Sequence, residues 1–414
     1  MTASYQPVAS TAPLAASLAA ASRTLVDEAL LARARALGPM LREHADVAER
    51  ERRLTRPVVD AMRDAGFFRM FSPRALGGSE TDPVSVARVA EELASHDSAA
   101  AWALQAGNTG AWWMSRFPDA AVAELFADGP DLMMAASFSP PHRAEAVPGG
   151  YRFTGRGPLA STVHDSPWVM MSGIVFDGEQ PRMTPMGPVI VGLLMRTSEV
   201  DIVDTWHSLG MRGTDSNDVA ADGVFVPESR SAILTPFVEL RPPFDAPLYR
   251  IPAAAATYVV VAPVALAIAR CAITELRTLA DRKTPMGSMK TIRHRSAVQS
   301  ALAESEGLLR AARLLLYDTL DALWQRTLAA EATSLEQKAD LMLAGAHAVR
   351  TAAHVTDLIH RMAGTSGIYT RNRLERLFRD AQTVRHHGFL SESRFETVGQ
   401  VYLGLEPEFP FVAF

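Results

Sequence analysis

Cysteine is nearly absent from this chain of 414 residues: Cys271 is the only one. A single thiol excludes an internal disulfide and a thiolate metal cluster and suits a reducing compartment, so a cytoplasmic location is expected. Surplus basic charge is lacking as well, the formal net charge being −5. No positive field is available to hold nucleic acid, and no Lys/Arg cluster marks a membrane surface, so neither is expected as a partner. The two common phosphate-cradling loops are missing: no GxGxxG follows a strand and no GxxxxGK(S/T) occurs. A GxSxG nucleophile elbow is absent. Glu-x-x-His is absent too, and with it the inward-facing pairs a di-iron bundle requires. His347 and His354 share a helix face but bring no carboxylate, so no metal is expected. Any redox or group-transfer chemistry must therefore come from a bound organic cofactor.

Long apolar runs are scarce. Residues 251–269, IPAAAATYVVVAPVALAIA, raise the question of a membrane span. They are Ala-rich, broken by Pro263 and without flanking aromatic anchors, which predicts a helix buried in a bundle. The first residues, MTASYQPVASTAPLAASLAA, lack the basic start and long apolar core of a secretory signal, so 1–24 is expected to be a disordered leader.

What is present, with 48% hydrophobic and 21% charged residues, is enough to build two or three packed units. From Val26 to about Leu125 the apolar residues recur at helical spacing, as in Leu30, Leu31, Ala34, Leu37 and Leu41. The pattern then shifts to short apolar stretches between turn formers, such as SPWVMMSGIVFDG and PVIVGLLM, which suit strands. Helical periodicity returns after RPPFDAPLYRIP and persists. The expected class is α+β: an N-terminal helical domain over 25–130, a β-barrel or sandwich over 131–240, and a C-terminal four-helix bundle over 241–414.

Four stretches in this order carry a resemblance: WHSLGMRGTDSNDVAADGVFVPE (206–228), GYRFTGRGPLASTVHDSPW (150–168), RKTPMG (282–287), and MAGTSGIYTRNRLERLFRDA (362–381). Together they resemble the acyl-CoA dehydrogenase superfamily over nearly all of the chain after the leader, although Met286 replaces the aromatic residue of R-x-x-F-G. The resemblance implies a flavin between the β domain and the bundle, in a homotetramer. It places Ser161, in LAST (159–162), where a hydroxyl meets flavin N5, and it implies flavin contacts from Ser137, Trp168, Gly364 and Gly367. Arg282 would pair a flavin phosphate across a subunit boundary. The turn-rich loop, through Gly210, Gly213, Thr214, Asp215 and Ser216, would bend the backbone near the flavin.

A dehydrogenase of this family needs a carboxylate base in the segment after R-D-A, where this chain has His387 and Gly388. No acidic residue lies between Asp245 and Glu275, which removes the alternative position. The spacing in RDAQTVRHH (379–387) instead resembles the two-component, group D flavin monooxygenases. That branch implies FMNH2 or FADH2 delivered by a separate NAD(P)H:flavin reductase, O2 as co-substrate, and a flavin C4a-hydroperoxide that hydroxylates a small aromatic or heteroaromatic substrate. Ser161 would hold N5–H, and His387 would deprotonate a phenol or stabilise the peroxide. Trp112, Trp113 and Asn108 are candidates for the substrate pocket. Two other readings stay open: an FAD-dependent acyl-CoA dehydrogenase-type enzyme with a non-standard base, and a flavin-free binding module.

Overall fold

The computed structural model describes residues 24–185, 187–235 and 244–413. The expected leader lies outside them except for Thr24.

Among the described residues six α-helices come first: α1 (Glu28–Glu51), α2 (Arg56–Asp64), α3 (Pro83–Ala94), α4 (Ser98–Trp102), α5 (Leu104–Met114) and α6 (Asp119–Leu125). Acidic caps start three of them, since Asp27, Asp82 and Asp97 each accept a backbone N–H of the first turn. The loop read from FSPRALGGSETDP runs between α2 and α3, and Asp82 and Pro83 end it by supplying the N-cap and first residue of α3.

The middle of the chain forms β1 (Met134–Val147), β2 (Gly150–Ala160), β3 (Trp168–Asp177), β4 (Gln180–Pro181), β5 (Met183–Thr184), β6 (Gly187–Pro188), β7 (Ile190–Arg196), β8 (Asp201–Val203), β9 (Asn217–Pro227) and β10 (Ser231–Ile233). Its main sheet has the order β10-β7-β3-β1-β2-β9-β8, with β4 added to β3, while β5 and β6 pair with each other. Only β1 and β3 run parallel among the pairs of that sheet. Alternation along the strands gives it two buried faces. On one face Val169 and Met171 of β3, Leu193 of β7, and Val219 of β9 share a core. Strands far apart in the hydrogen-bonded order thus meet across that core, and the sheet curls on itself. On the other face Trp168, Met170 and Leu194 join the core of the helices.

The bundle comprises α7 (Ala253–Arg282), α8 (Ser296–Leu328), α9 (Leu335–Ala363), α10 (Arg373–Val384) and α11 (Arg394–Tyr402). From Ala253 to Ala269 helix α7 is buried on every side, as a helix enclosed by others should be, and beyond Arg270 it has an exposed polar face. Its most apolar window has a mean hydropathy of 1.9, long and apolar enough for a membrane span, yet is 94% buried inside the protein. Thr24 is already tied to the bundle, its N–H and Oγ1 both donating to Asp321 on α8.

Candidate active site

Where the sheet meets α5 and the start of α7 there is a cavity of about 230 Å³. Helix α5 lines it with Gln105, Ala106, Thr109, Gly110 and Trp113, residues spaced to share one helical face. Asn108 and Trp112 fall on the opposite face, which corrects their expected place in a substrate pocket. Asn108 is fully buried and structural: its amide donates to the carbonyls of Phe67 (3.0 Å) and Leu104 (2.9 Å) and accepts from Phe71 N–H (3.0 Å). Trp112 is packed under Arg116, whose guanidinium lies 4.5 Å from its ring. Trp113 faces the cavity, with Phe138 of β1 at a ring separation of 5.3 Å.

The sheet contributes hydroxyls. Ser137 lines the cavity from β1 and donates to the Pro158 carbonyl at 2.7 Å. Ser161, just past β2, accepts from Trp102 Nε1–H at 3.2 Å and lies 2.7 Å from Ser216 Oγ. Non-glycine residues with positive φ cluster here: Leu159 (63°), Thr162 (59°), Met211 (54°) and Asp215 (52°). Each such residue costs on the order of 1–3 kcal/mol and persists only where the surroundings over-determine it. The surroundings do so: Thr162 N–H donates to the Thr214 carbonyl at 2.8 Å, and Asp215 accepts from His164 N–H (2.8 Å), His164 Nδ1 (2.8 Å) and Asn217 Nδ2 (2.8 Å).

The turn-rich loop owes its glycines to close approach, not to bending. A Cβ on Gly210 would sit 2.3 Å from the carbonyl carbon of Arg379, and one on Gly213 would sit 3.0 Å from Ala99 Cβ. Gly210 lets the loop dock on α10, where its N–H donates to Thr383 Oγ1 (2.9 Å) and Met211 N–H donates to Asp380 (2.6 Å). Asp380 also accepts from Ser98 Oγ, and complete burial raises its pKa to about 6. The positive φ values that a turn demands fall on Met211 and Asp215 instead.

His387 follows α10 and lines the cavity beside Trp102, the two rings meeting edge to face at 5.5 Å, while His386 is exposed. Its Nδ1 accepts from Phe389 N–H at 3.3 Å, which assigns the ring proton to Nε2. Tyr258 of α7 steadies this loop by donating from its hydroxyl to the Phe389 carbonyl at 3.1 Å. Desolvation pulls the pKa of His387 down to about 4. At neutral pH it is therefore a neutral ring with one N–H to donate. This favours the stabilising role over the deprotonating one.

The other expected flavin residues lie elsewhere. Trp168 is buried between the guanidinium groups of Arg196 (3.8 Å) and Arg230 (5.1 Å), because its place on β3 turns it to the helical core and not to the cavity. Arg282 is exposed in the last turn of α7. Thr257 lines the cavity near the other end of that helix, and at ~1.5 Å per residue the two are roughly 37 Å apart. Gly364 and Gly367 sit beside the Arg282 end, where Lys283 Nζ donates to the carbonyl of Ala363 (2.6 Å) and to Ser366 Oγ (2.9 Å). Within one chain these three residues are not part of the cavity. Sequence reasoning gave no site role to Trp102, Asp380 or Lys283, although the last two lie inside the segments 362–381 and 282–287, and it placed Ser216 in the loop without its link to Ser161. Two larger clefts, of about 480 Å³ beside His347 and His354 and about 570 Å³ beside Arg52 and Asp204, are open and lined largely by charged groups. Each cleft carries an ion pair on its wall, Arg385 with Glu392 in the first and Arg52 with Asp204 in the second. The smaller cavity is where apolar walls and oriented polar groups converge.

Comparison with known proteins places this geometry. Residues 27–126 match the N-terminal domain of acyl-CoA dehydrogenase and residues 259–392 match its C-terminal domain. Indole-3-acetate monooxygenase of Pseudomonas putida is 29% identical over 89% of this chain and 92% of its own length. The oxygenase component of the FADH(2)-dependent resorcinol hydroxylase of Rhizobium sp. is 27% identical over 92% of this chain and 95% of its own. XiaF from Streptomyces sp., solved in complex with FADH2 and glycerol, superposes with a TM-score of 0.84 at 27% identity, covering 92% of this chain and 96% of that one. The chain belongs to the acyl-CoA dehydrogenase superfamily, and its relatives there are flavin-dependent monooxygenases.

Proposed function

We propose that this chain is the oxygenase component of a two-component monooxygenase, using FMNH2 or FADH2 from a separate NAD(P)H:flavin reductase and O2 to hydroxylate a small aromatic or heteroaromatic compound. The observation that carries this reading is the chemistry of the cavity wall. Aromatic rings (Trp102, Trp113, Phe138, Phe389) and hydroxyls line it together with neutral His387, and no carboxylate does among the described residues. Without a carboxylate, abstraction of an α proton has no base, whereas a flat aromatic ring finds apolar faces on which to rest.

The residues present fit a flavin ring. Ser161 offers a lone pair beyond its two existing contacts, and the cavity lies between sheet and bundle with aromatic walls. Reduced flavin, when bound, would supply the two electrons that activate O2, one oxygen atom of which goes to the substrate and the other to water. Ser161 would hold the proton at flavin N5 by accepting a hydrogen bond from it. His387 donates Nε2–H to developing negative charge in the cavity, at no cost in protonation because burial keeps the ring neutral. Trp113 and Phe138 orient an aromatic substrate and exclude water. Arg282, Gly364 and Gly367 hold the phosphate end of a flavin bound by another copy in a homotetramer, since they lie too far from the cavity of their own chain. A cytoplasmic location accords with the dependence on a reductase.

The test is to supply FMNH2 or FADH2 anaerobically, admit O2 with a panel of indoles, phenols and sulfur heterocycles, and quantify hydroxylated product against H2O2. Product from at least one aromatic compound is expected, with Ser161→Ala diverting most of the oxygen to H2O2. Reduction of bound oxidised flavin by an acyl thioester, without hydroxylation, would refute the proposal in favour of a dehydrogenase.

A further inference from the structure

Ser161 is one member of a chain of hydroxyls. Trp102 Nε1–H donates to Ser161 Oγ (3.2 Å), Ser161 Oγ lies 2.7 Å from Ser216 Oγ, and Ser216 Oγ lies 2.7 Å from Thr214 Oγ1. Thr214 Oγ1 in turn lies 2.9 Å from the carbonyl oxygen of Met211. An indole N–H only donates and a carbonyl only accepts, while each hydroxyl has one hydrogen and two lone pairs. The ends therefore fix the middle. Thr214 gives its hydrogen to Met211 and accepts from Ser216, Ser216 accepts from Ser161, and Ser161 accepts from Trp102. With its hydrogen committed to Ser216, Ser161 has only a lone pair left to offer.

The reverse polarity is worse in two places. Thr214 Oγ1 and the Met211 carbonyl would face each other lone pair to lone pair at 2.9 Å where both residues are buried, and the hydrogen of Ser161 would find no acceptor in the chain. The Met211 carbonyl also receives Trp206 Nε1 (3.2 Å) and Thr214 N–H (3.1 Å). The Thr214 hydroxyl contact shares that carbonyl with two other donors, and it is the link at which the direction of the whole chain is set. Leu159, Thr162, Met211 and Asp215, at positive φ, flank these hydroxyls and hold the two segments in register.

We propose that Trp102, Ser216 and Thr214 are positioning residues that hold Ser161 as a hydrogen-bond acceptor, so that the site discriminates between redox states of the flavin. The inference rests on the reading that Ser161 meets flavin N5. Reduced flavin carries N5–H and matches a lone pair; oxidised flavin presents a bare N5 and needs a donor. Binding the oxidised form requires all three hydroxyls to reverse.

Equilibrium binding tests this without turnover. Dissociation constants for oxidised FMN and, anaerobically, for FMNH2 are measured on wild type, Thr214→Val, Thr214→Ser and Ser216→Ala. Wild type is expected to bind FMNH2 at least about tenfold more tightly than FMN, which for a two-electron couple raises the potential of bound flavin by about 30 mV. Thr214→Val lets Ser216 donate to Ser161, and Ser216→Ala frees the hydrogen of Ser161. Both are expected to shrink the ratio severalfold by improving the affinity for the oxidised form, while Thr214→Ser retains it. A variant that merely loosened the fold would weaken both forms and leave the ratio intact. An unchanged ratio in both Thr214→Val and Ser216→Ala overturns the proposal and leaves the assigned function standing. A wild type that binds neither form overturns that function, and this inference with it.

Discussion

The two ends of α7 make opposite kinds of surface. Near Thr257 the helix is enclosed, and the polar groups on either side of that residue are paired: Tyr258 with the Phe389 carbonyl and Thr109 with the Ala256 carbonyl. Near Arg282 it ends in the open, among the exposed apolar side chains of Met286, Met289 and Ile368. Both ends carry sequence that resembles flavin-binding segments, yet only the first is finished within one chain. The enclosed end builds its cavity within one chain, whereas the open end leaves a cation beside exposed methionines.

Substitutions at the two ends should separate fold from cofactor grip. The largest effect is expected for Gly210→Ala: the added Cβ meets backbone of α10 at 2.3 Å, so the loop must lift off Asp380. A loss of more than about 3 kcal/mol, seen in melting curves with and without flavin, is expected. An unchanged melting curve would show that the loop is not docked as described.

Acid should be next. In the fold His387 titrates at about 4 against an ordinary value of 6.5, so the unfolded chain takes up a proton that the folded chain refuses between those limits. Its contribution to stability is complete above pH 6.5 and falls as the pH drops, by up to about 3 kcal/mol at pH 4. Asp380, raised to about 6, works the other way: the fold keeps its proton longer than the unfolded chain does, so acidification below pH 6 favours the fold at that residue. His387→Gln is therefore expected to lose less stability than wild type between pH 6.5 and 4 in urea titrations. An equal loss would place the acid sensitivity elsewhere.

At the open end, Arg282→Ala should weaken flavin affinity about tenfold, the scale of one charge-assisted hydrogen bond, with no change in melting. The smallest effects are expected on the two faces of α5. Trp113→Phe should raise KM for the aromatic substrate severalfold, whereas Trp112→Phe should leave it unchanged and alter stability by less than about 1 kcal/mol. Equal effects on KM would mean that both rings reach the substrate.

The order of helices, sheet and bundle was legible because periodicity changes twice along the chain. Burial of 251–269 was legible because an apolar helix without aromatic anchors has only a protein interior to occupy. Ser161 and His387 were singled out only by the resemblance of LAST (159–162) and RDAQTVRHH (379–387) to a family's motifs, and the fold brings both to one cavity. The choice of face on α5 was not: Asn108, Trp112 and Trp113 each suit a buried helix or a pocket, and only docking against β1 and α7 decides which of them meets the cavity. The links of Trp102 and Ser216 to Ser161 were not legible for a different reason, since they span 59 and 55 residues and no local pattern carries a hydrogen bond of that length. Gly210 was noticed for its freedom to turn, but its real constraint is the thickness of a Cβ against Arg379.

The length of α7 has a consequence for how such a chain can vary. A rigid helix from Thr257 to Arg282 works as a ruler, fixing both the spacing and the phase of its two ends. Inserting one residue between them would turn the far end by about 100° and advance it ~1.5 Å, swinging Arg282 off its face. Inserting seven would nearly restore the phase but push it out by ~10 Å. Insertions and deletions should therefore be excluded from this helix while side chains along it remain free to drift among apolar types, so that its length is inherited more strictly than its composition.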